Sequence, residues 1–250
     1  MIEMDTNTIS VHIPRTKIIA ILISGLIIFS AAILIWQQQE LDDAIVIGHN
    51  FIYQNTFLLY LFQFITDYGM GFMALLYGIL AFITFKFEDL AYIKPLLVLI
   101  LFGFAFGSLA GDLLKEVFNR ARPAVALAGQ IANIVNSDTA AFPSGHATKS
   151  LALAIPFLIA ATGKNIKTRA LKIILLVSAL LVSYSRIALQ KHYLSDIIGA
   201  LGVALFFFPA GYWFANFVYK QQKVDESGLE MMTKRLGFIF LALAVGLSLL

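Results

Sequence analysis

Six stretches of this chain are apolar for long enough to cross a lipid bilayer, and that leaves few folds open to it. They run from about 18 to 36, 69 to 85, 96 to 114, 146 to 162, 173 to 186 and 194 to 218. At ~1.5 Å per helical residue, about 20 such residues span the hydrocarbon core. The charged share of the 250 residues is only 13%, against 60% hydrophobic. A soluble domain carries roughly a quarter charged residues. A mean hydropathy of +0.84 can be sustained only in lipid. The fold expected is all-α, a polytopic membrane helical bundle of six transmembrane helices. A short, tilted or interfacial apolar helix is expected over 236–250.

The first apolar run follows a polar leader ending in Pro14-Arg15-Thr16-Lys17. That leader is long, the run exceeds a typical signal core, and no small-x-small site follows, so it reads as an uncleaved span with Trp36 at the interface. The acidic residues Glu40, Asp42 and Asp43 open an amphipathic segment over 40–66. Thr66-Asp67-Tyr68-Gly69 then interrupts the apolar sequence, which predicts an interfacial piece before the second span. No internal repeat or second soluble domain is visible, so residues 1–250 read as one domain with its core over 96–218. The segment 18–68 precedes that core and the tail 219–250 follows it.

Charge placement gives an orientation. With the amino terminus inside, the inside loops are 86–94, 163–172 and 219–235, which carry most of the Lys and Arg, as cytoplasmic loops do. The outside segments are then 37–68, 115–145 and 187–193. Cations on that side need another reason to be there, and anion binding supplies one. Cysteine is absent, which excludes thiolate metal sites and a Cys nucleophile. The four histidines are too scattered for an obvious metal cluster.

Three polar islands stand out on the predicted outer side. The first is Lys115-Glu-Val-Phe-Asn-Arg120-Ala-Arg122-Pro123. Asp112, three residues before Lys115, is placed to pair with it on one helix face. Arg120 reads as a solvated charge. The second island is Phe142-Pro143-Ser144-Gly145-His146, leading into an apolar run. Ser144 suits a helix cap, the unpaired N–H groups there suit an anion, and Gly145 lets backbone approach a ligand. The third holds Ser185-Arg186 and His192 with Asp196 four residues on, one helical turn apart. A carboxylate taking the Nδ1 proton leaves Nε2 free as a nucleophile. Taken together, Lys115, Arg122, Arg186 and the Ser144–Gly145 backbone would hold a phosphate between two imidazoles.

Lys-x6-Arg-Pro, Pro-Ser-Gly-His and Ser-Arg-x5-His-x3-Asp, in this order over 115–196, resemble the tripartite signature of the type 2 phosphatidic acid phosphatase superfamily. That superfamily also includes vanadium haloperoxidases, and the six-span layout is similar to its membrane branch. The resemblance implies that His192 attacks phosphorus and forms a phosphohistidine, oriented by Asp196. It implies that His146 protonates the leaving oxygen and then activates water. Lys115, Arg122, Ser144, Gly145 and Arg186 would bind the phosphoryl oxygens, with no cofactor and no metal.

The expected function is hydrolysis of a lipid phosphomonoester or diphosphate at the outer face of a bacterial inner membrane. Undecaprenyl diphosphate, phosphatidylglycerol phosphate and phosphatidic acid are the substrates the resemblance offers, with lipid A 1-phosphate next. A lipid phosphotransferase and a non-catalytic lipid or anion transporter are the rival readings; a haloperoxidase is disfavoured because those relatives are soluble. The expected partners are the lipid substrate and the bilayer, with no nucleic acid; oligomeric state is not legible. Outside the signature, Lys149 lies three residues after His146, where it could touch a second phosphate or the lipid head group. Segments 40–66 and 124–141 are expected to shape the lipid's access.

Overall fold

The apolar runs form helices that satisfy their own backbone groups, as a lipid environment demands. The computed structural model describes all residues but 1, 6, 7, 134–139, 164 and 250. Helix α1 is Arg15–Gln37, α2 Gln39–Gly48, α3 Asn50–Gln54 and α4 Thr56–Ile83. A 3-10 turn over Glu88–Ile93 leads into α5, Lys94–Phe118. Then come α6 Pro123–Ala126, α7 Gly145–Ala160, α8 Ile166–Ala188, α9 Leu194–Gln221 and α10 Glu226–Leu247. Part of the expected access loop 124–141, and Lys164 of the expected basic loop, lie outside the described residues.

The protein is an all-α, polytopic membrane bundle. Among the described residues, five helical segments are long and apolar enough to cross a membrane, and α7, expected as a further span, is a shorter apolar helix of 16 residues. Two expectations change. The Thr66–Gly69 interruption does not break the chain: Thr56 to Ile83 is one 28-residue helix. A polar pair does not end a helix whose backbone bonds remain intact, and Thr66 finds buried partners in Ser185 and Arg186. The C-terminal helix is not short either. It begins at Glu226, and Glu226, Glu230, Lys234 and Arg235 hid its first half from a hydropathy reading. The leader, read as a polar tail, forms a two-stranded antiparallel hairpin, β1 Ile2–Asp5 with β2 Thr8–Val11.

Helix α7 is the axis of the bundle, packed on α4, α5, α8 and α9, with nearly every side chain buried. Small residues permit that packing, as is usual between membrane helices. On α5, a Cβ at Gly107 would meet Ala152 at 2.9 Å, and one at Gly111 would meet Thr148 at 3.0 Å. In contrast, α1 and α8 leave Ile23, Ile27, Ile173 and Leu180 on their outer faces.

Three hydrogen bonds tie the amino-terminal hairpin to α9 and the segment after it: Val11 N–H donates to Asn216 Oδ1, Asn216 Nδ2 donates to the Val11 carbonyl, and Ile9 N–H donates to the Val224 carbonyl. The loops around 86–94, 163–172 and 219–235 meet at that same end, through Lys167–Asp89 at 2.8 Å and Lys94–Glu230 at 3.6 Å. The three polar islands gather at the other end.

Candidate active site

Chain geometry brings the islands together. Asn119 adopts a left-handed conformation (φ 40°) that ends α5 and turns the chain inward. The Phe142 ring wedges among Trp36, Phe118 and Phe29, with centroids 5.1–5.8 Å apart across that cluster's Phe142 and Phe29–Phe118 contacts. It also lies against Gly199 of α9. This aromatic nest fixes where α7 starts, and so where His146 stands.

A cavity of about 390 Å³ opens at this end, lined by Lys115, Arg122, Gly145, His146, Lys149, Arg186, Lys191 and His192 among others. Both signature histidines therefore face one space. Lys115 reaches it across Gly145: a Cβ on that glycine would stand 2.8 Å from the ammonium nitrogen. Arg186 is buried, and Nη1 donates to Thr66 Oγ1 at 2.9 Å while Nε has no hydrogen-bond partner among the described residues.

His192 and Asp196 pair as their spacing predicts, with Nδ1 3.2 Å from Asp196 Oδ2. The same carboxylate oxygen accepts the Tyr193 N–H at 2.9 Å, which closes the first turn of α9. Burial, then the Arg186, Arg122 and Lys115 cations, hold His192 well below its ordinary pKa, against an opposing pull from the Ala141 backbone. The imidazole is thus kept neutral, the form in which Nε2 carries a lone pair. Burial and Arg186 lower the neighbouring Lys191 as well.

Other expectations need correction. Ser144 does not line the cavity: it is fully buried, and its N–H donates to the Asp196 carbonyl at 3.1 Å. It stands at the cap position of α7, but its hydroxyl makes no cap bond and has no partner among the described residues. Asp112 pairs with Lys149 at 3.7 Å rather than with Lys115. Arg120 is not solvated: it is 6% exposed and forms ion pairs with Asp42 at 2.9 Å and Asp196 at 2.7 Å.

Sequence reasoning missed Asp42, Ser195, Gln190 and Lys191. Gln190 sits in the left-handed region (φ 53°), and its side-chain oxygen accepts the backbone N–H groups of Ala132 and Asn133. Its amide donates to the Val46 carbonyl of α2 and to Asn50 of α3. The amphipathic segment is thereby stapled over the site. The available signal was a cluster of polar residues within otherwise apolar sequence, which in a membrane protein marks function more often than surface.

Fold and site together define a multi-pass membrane protein with a pocket lined by cations and two histidines at one end of its helices. A sequence profile described as the PAP2 superfamily matches residues 96–222, just over half of the chain. The chain belongs to the PAP2 superfamily. Its fold is similar to that of a transmembrane PAP2-type phosphatidylglycerolphosphate phosphatase from Bacillus subtilis, with a TM-score of 0.58 and 23% identity over 84% of this chain and 98% of that one. No curated protein sequence matches it significantly.

Proposed function

We infer that this protein is a membrane lipid phosphatase that hydrolyses a lipid phosphomonoester or diphosphate through a phosphohistidine on His192. The observation that carries the reading is the shared cavity, where His146 and His192 stand among Lys115, Arg122, Arg186, Lys149 and Lys191. Five cations and one carboxylate, Asp67, surround the two imidazoles, an excess of positive charge that suits a multiply charged oxyanion. The Arg186 Nε, which lacks a hydrogen-bond partner among the described residues and belongs to a side chain lining the cavity, supports the same reading, since a buried polar group without a partner calls for a ligand.

The chemistry follows from the pairing. With Nδ1–H held by Asp196, His192 Nε2 attacks phosphorus and the bond to the leaving oxygen breaks. Protonated His146 gives its proton to that oxygen; the dianionic phosphate supplies the negative neighbour an imidazolium needs there. Neutral His146 then takes a proton from water, the water oxygen attacks phosphorus, and the P–N bond breaks to release inorganic phosphate. The cations stabilise charge on the equatorial oxygens throughout.

The substrates this reading favours are undecaprenyl diphosphate, phosphatidylglycerol phosphate and phosphatidic acid. The Bacillus subtilis neighbour is a phosphatidylglycerolphosphate phosphatase, which supports trying phosphatidylglycerol phosphate early. The site belongs on the outside of a bacterial inner membrane: the basic loops and the amino-terminal hairpin meet at the opposite end, which the positive-inside rule assigns to the cytoplasm.

The test is phosphate release from a panel of lipid phosphates by purified protein, with His192→Ala alongside. Wild-type release and a silent, correctly inserted variant are expected; a variant that still turns over removes His192 as nucleophile. Activity is expected to survive a chelator, and loss restored by a divalent cation would replace this mechanism with a metal-assisted one.

A further inference from the structure

Arg120 does not line the phosphate cavity, yet its charge is bound on every side. Nη1 donates to Asp196 Oδ1 at 2.7 Å and to Ser195 Oγ at 2.6 Å; Nη2 donates to Asp42 Oδ2 at 2.9 Å. The guanidinium lies 3.9 Å from the Tyr193 ring centre and 4.9 Å from that of Trp36. Asp42, on α2, is fully buried; its Oδ1 accepts the Ser195 N–H at 3.1 Å and its Oδ2 accepts the Ser195 hydroxyl. Every carboxylate oxygen of Asp42 and Asp196 thus has a donor.

The arrangement is costly and specific. A buried carboxylate stripped of its partner is strongly destabilising, and here two of them lie close together. One planar guanidinium serves both, with a fork geometry that a lysine lacks. A helix lying over the membrane surface has no need of a buried aspartate for its own sake. This one reaches a cation whose other arm holds the carboxylate beside His192.

We propose that Arg120, clamped by Asp42, is a positioning residue for His192. It fixes the Asp196 carboxylate as an anion with Oδ1 occupied and Oδ2 turned to the imidazole. The proton then stays on Nδ1 and the lone pair on Nε2. Without Arg120, Asp42 and Asp196 become two uncompensated carboxylates in one dry neighbourhood, and the second of them loses its hold on the ring. The proposal rests on the reading of His192 as nucleophile.

The experiment uses the full chain in detergent. Arg120→Gln is expected to lower kcat about 10- to 100-fold, the size of effect found when outer partners of metal-bound histidines are removed. KM and vanadate inhibition should stay put, because Arg120 is outside the cavity. Adding Asp42→Asn to Arg120→Gln should recover part of the loss by removing the unpaired charge. For a clamp that only holds α2 in place, the double variant would instead lose as much as Arg120→Gln alone, with no recovery. Nitrogen NMR of histidine-labelled protein, with the His192 ring identified by His192→Ala, should find one tautomer protonated at Nδ1, and a mixture in Arg120→Gln.

If Arg120→Gln fails to insert, Arg120→Lys carries both measurements, with partial activity and a partly mixed tautomer expected. An unchanged tautomer with unchanged kcat in either variant overturns the proposal, as does a rise in KM at constant kcat. The NMR measurement needs no turnover. A wild-type protein that released no phosphate would therefore defeat the phosphatase reading, while the tautomer result still decided the role of Arg120.

Discussion

The two ends of this bundle use the same charged residue types to opposite effect. At the end away from the cavity, Lys167 and Asp89 pair at 2.8 Å with both side chains nearly half exposed, and Lys94 reaches Glu230 at 3.6 Å. Lys94 and Lys234 also lie against the Phe85 ring. Such pairs contribute about 0–1 kcal/mol each and are screened by salt. At the cavity end, Asp42, Asp196 and Arg120 are buried together, and Arg186 is buried beside the cavity. Asp42, Asp196 and Arg120 are each fixed by several partners, and removing one strands the other two. Position, not inventory, separates the two ends: exposed, loosely held pairs at one, and buried charges with several partners at the other.

Substitutions at either end should tell the two apart. The largest effect after loss of His192 itself is expected from Arg186→Met, which removes the cation with an unpartnered Nε; kcat should fall roughly 10²- to 10³-fold, as when one oxyanion donor is lost. Near-normal turnover would mean that Arg186 serves packing alone. Gly145→Ala comes next. The added methyl meets the flexible end of Lys115, not backbone, so the fold should hold while the ammonium is pushed from its place. Activity should drop by about 10²-fold or less, in line with small misplacements of catalytic groups. A crystal structure with Lys115 unmoved and activity intact would refute this. Lys149→Ala should change the preference between diphosphate and monophosphate substrates by about tenfold, the worth of one charge-assisted hydrogen bond. If that ratio does not move, Lys149 merely pairs with Asp112. The smallest effect belongs to the far end, where Lys167→Ala should leave turnover alone and alter stability by about 1 kcal/mol at most, read as a small shift in the thermal midpoint.

Much of this was legible in the sequence, for physical reasons. Apolar runs near 20 residues can be little but spans, and the His192–Asp196 spacing needs only one helical turn to become a contact. The ammonium of Lys115 beside Gly145 follows from two motifs that share an end of the bundle. Arg120 was misjudged because its partners lie 76 and 78 residues away, and no local pattern announces a buried triple of charges. Thr66 looked like a break because polarity within an apolar run resembles a loop until its partner, Arg186, is known. Ser144 was expected to offer its N–H to an anion, but a carbonyl of a helix yet to come in the chain had already taken it.

Helix α7 is short, and that sets a depth. Sixteen residues rise about 24 Å, less than the ~30 Å of a typical hydrocarbon layer, whereas α4 rises about 42 Å. The Arg186 partner Thr66 lies ten residues inside α4, about 15 Å along its axis from the first turn. The floor of the pocket therefore lies about three turns along α4 from that helix's start, below the loops that rim it. Any phosphate ester sheds hydration on the way in, a loss offset by the cations that line the cavity. On the reading proposed above, a substrate held in the bilayer by its tail would be delivered sideways to that floor, and entry would depend on depth before any head group is read.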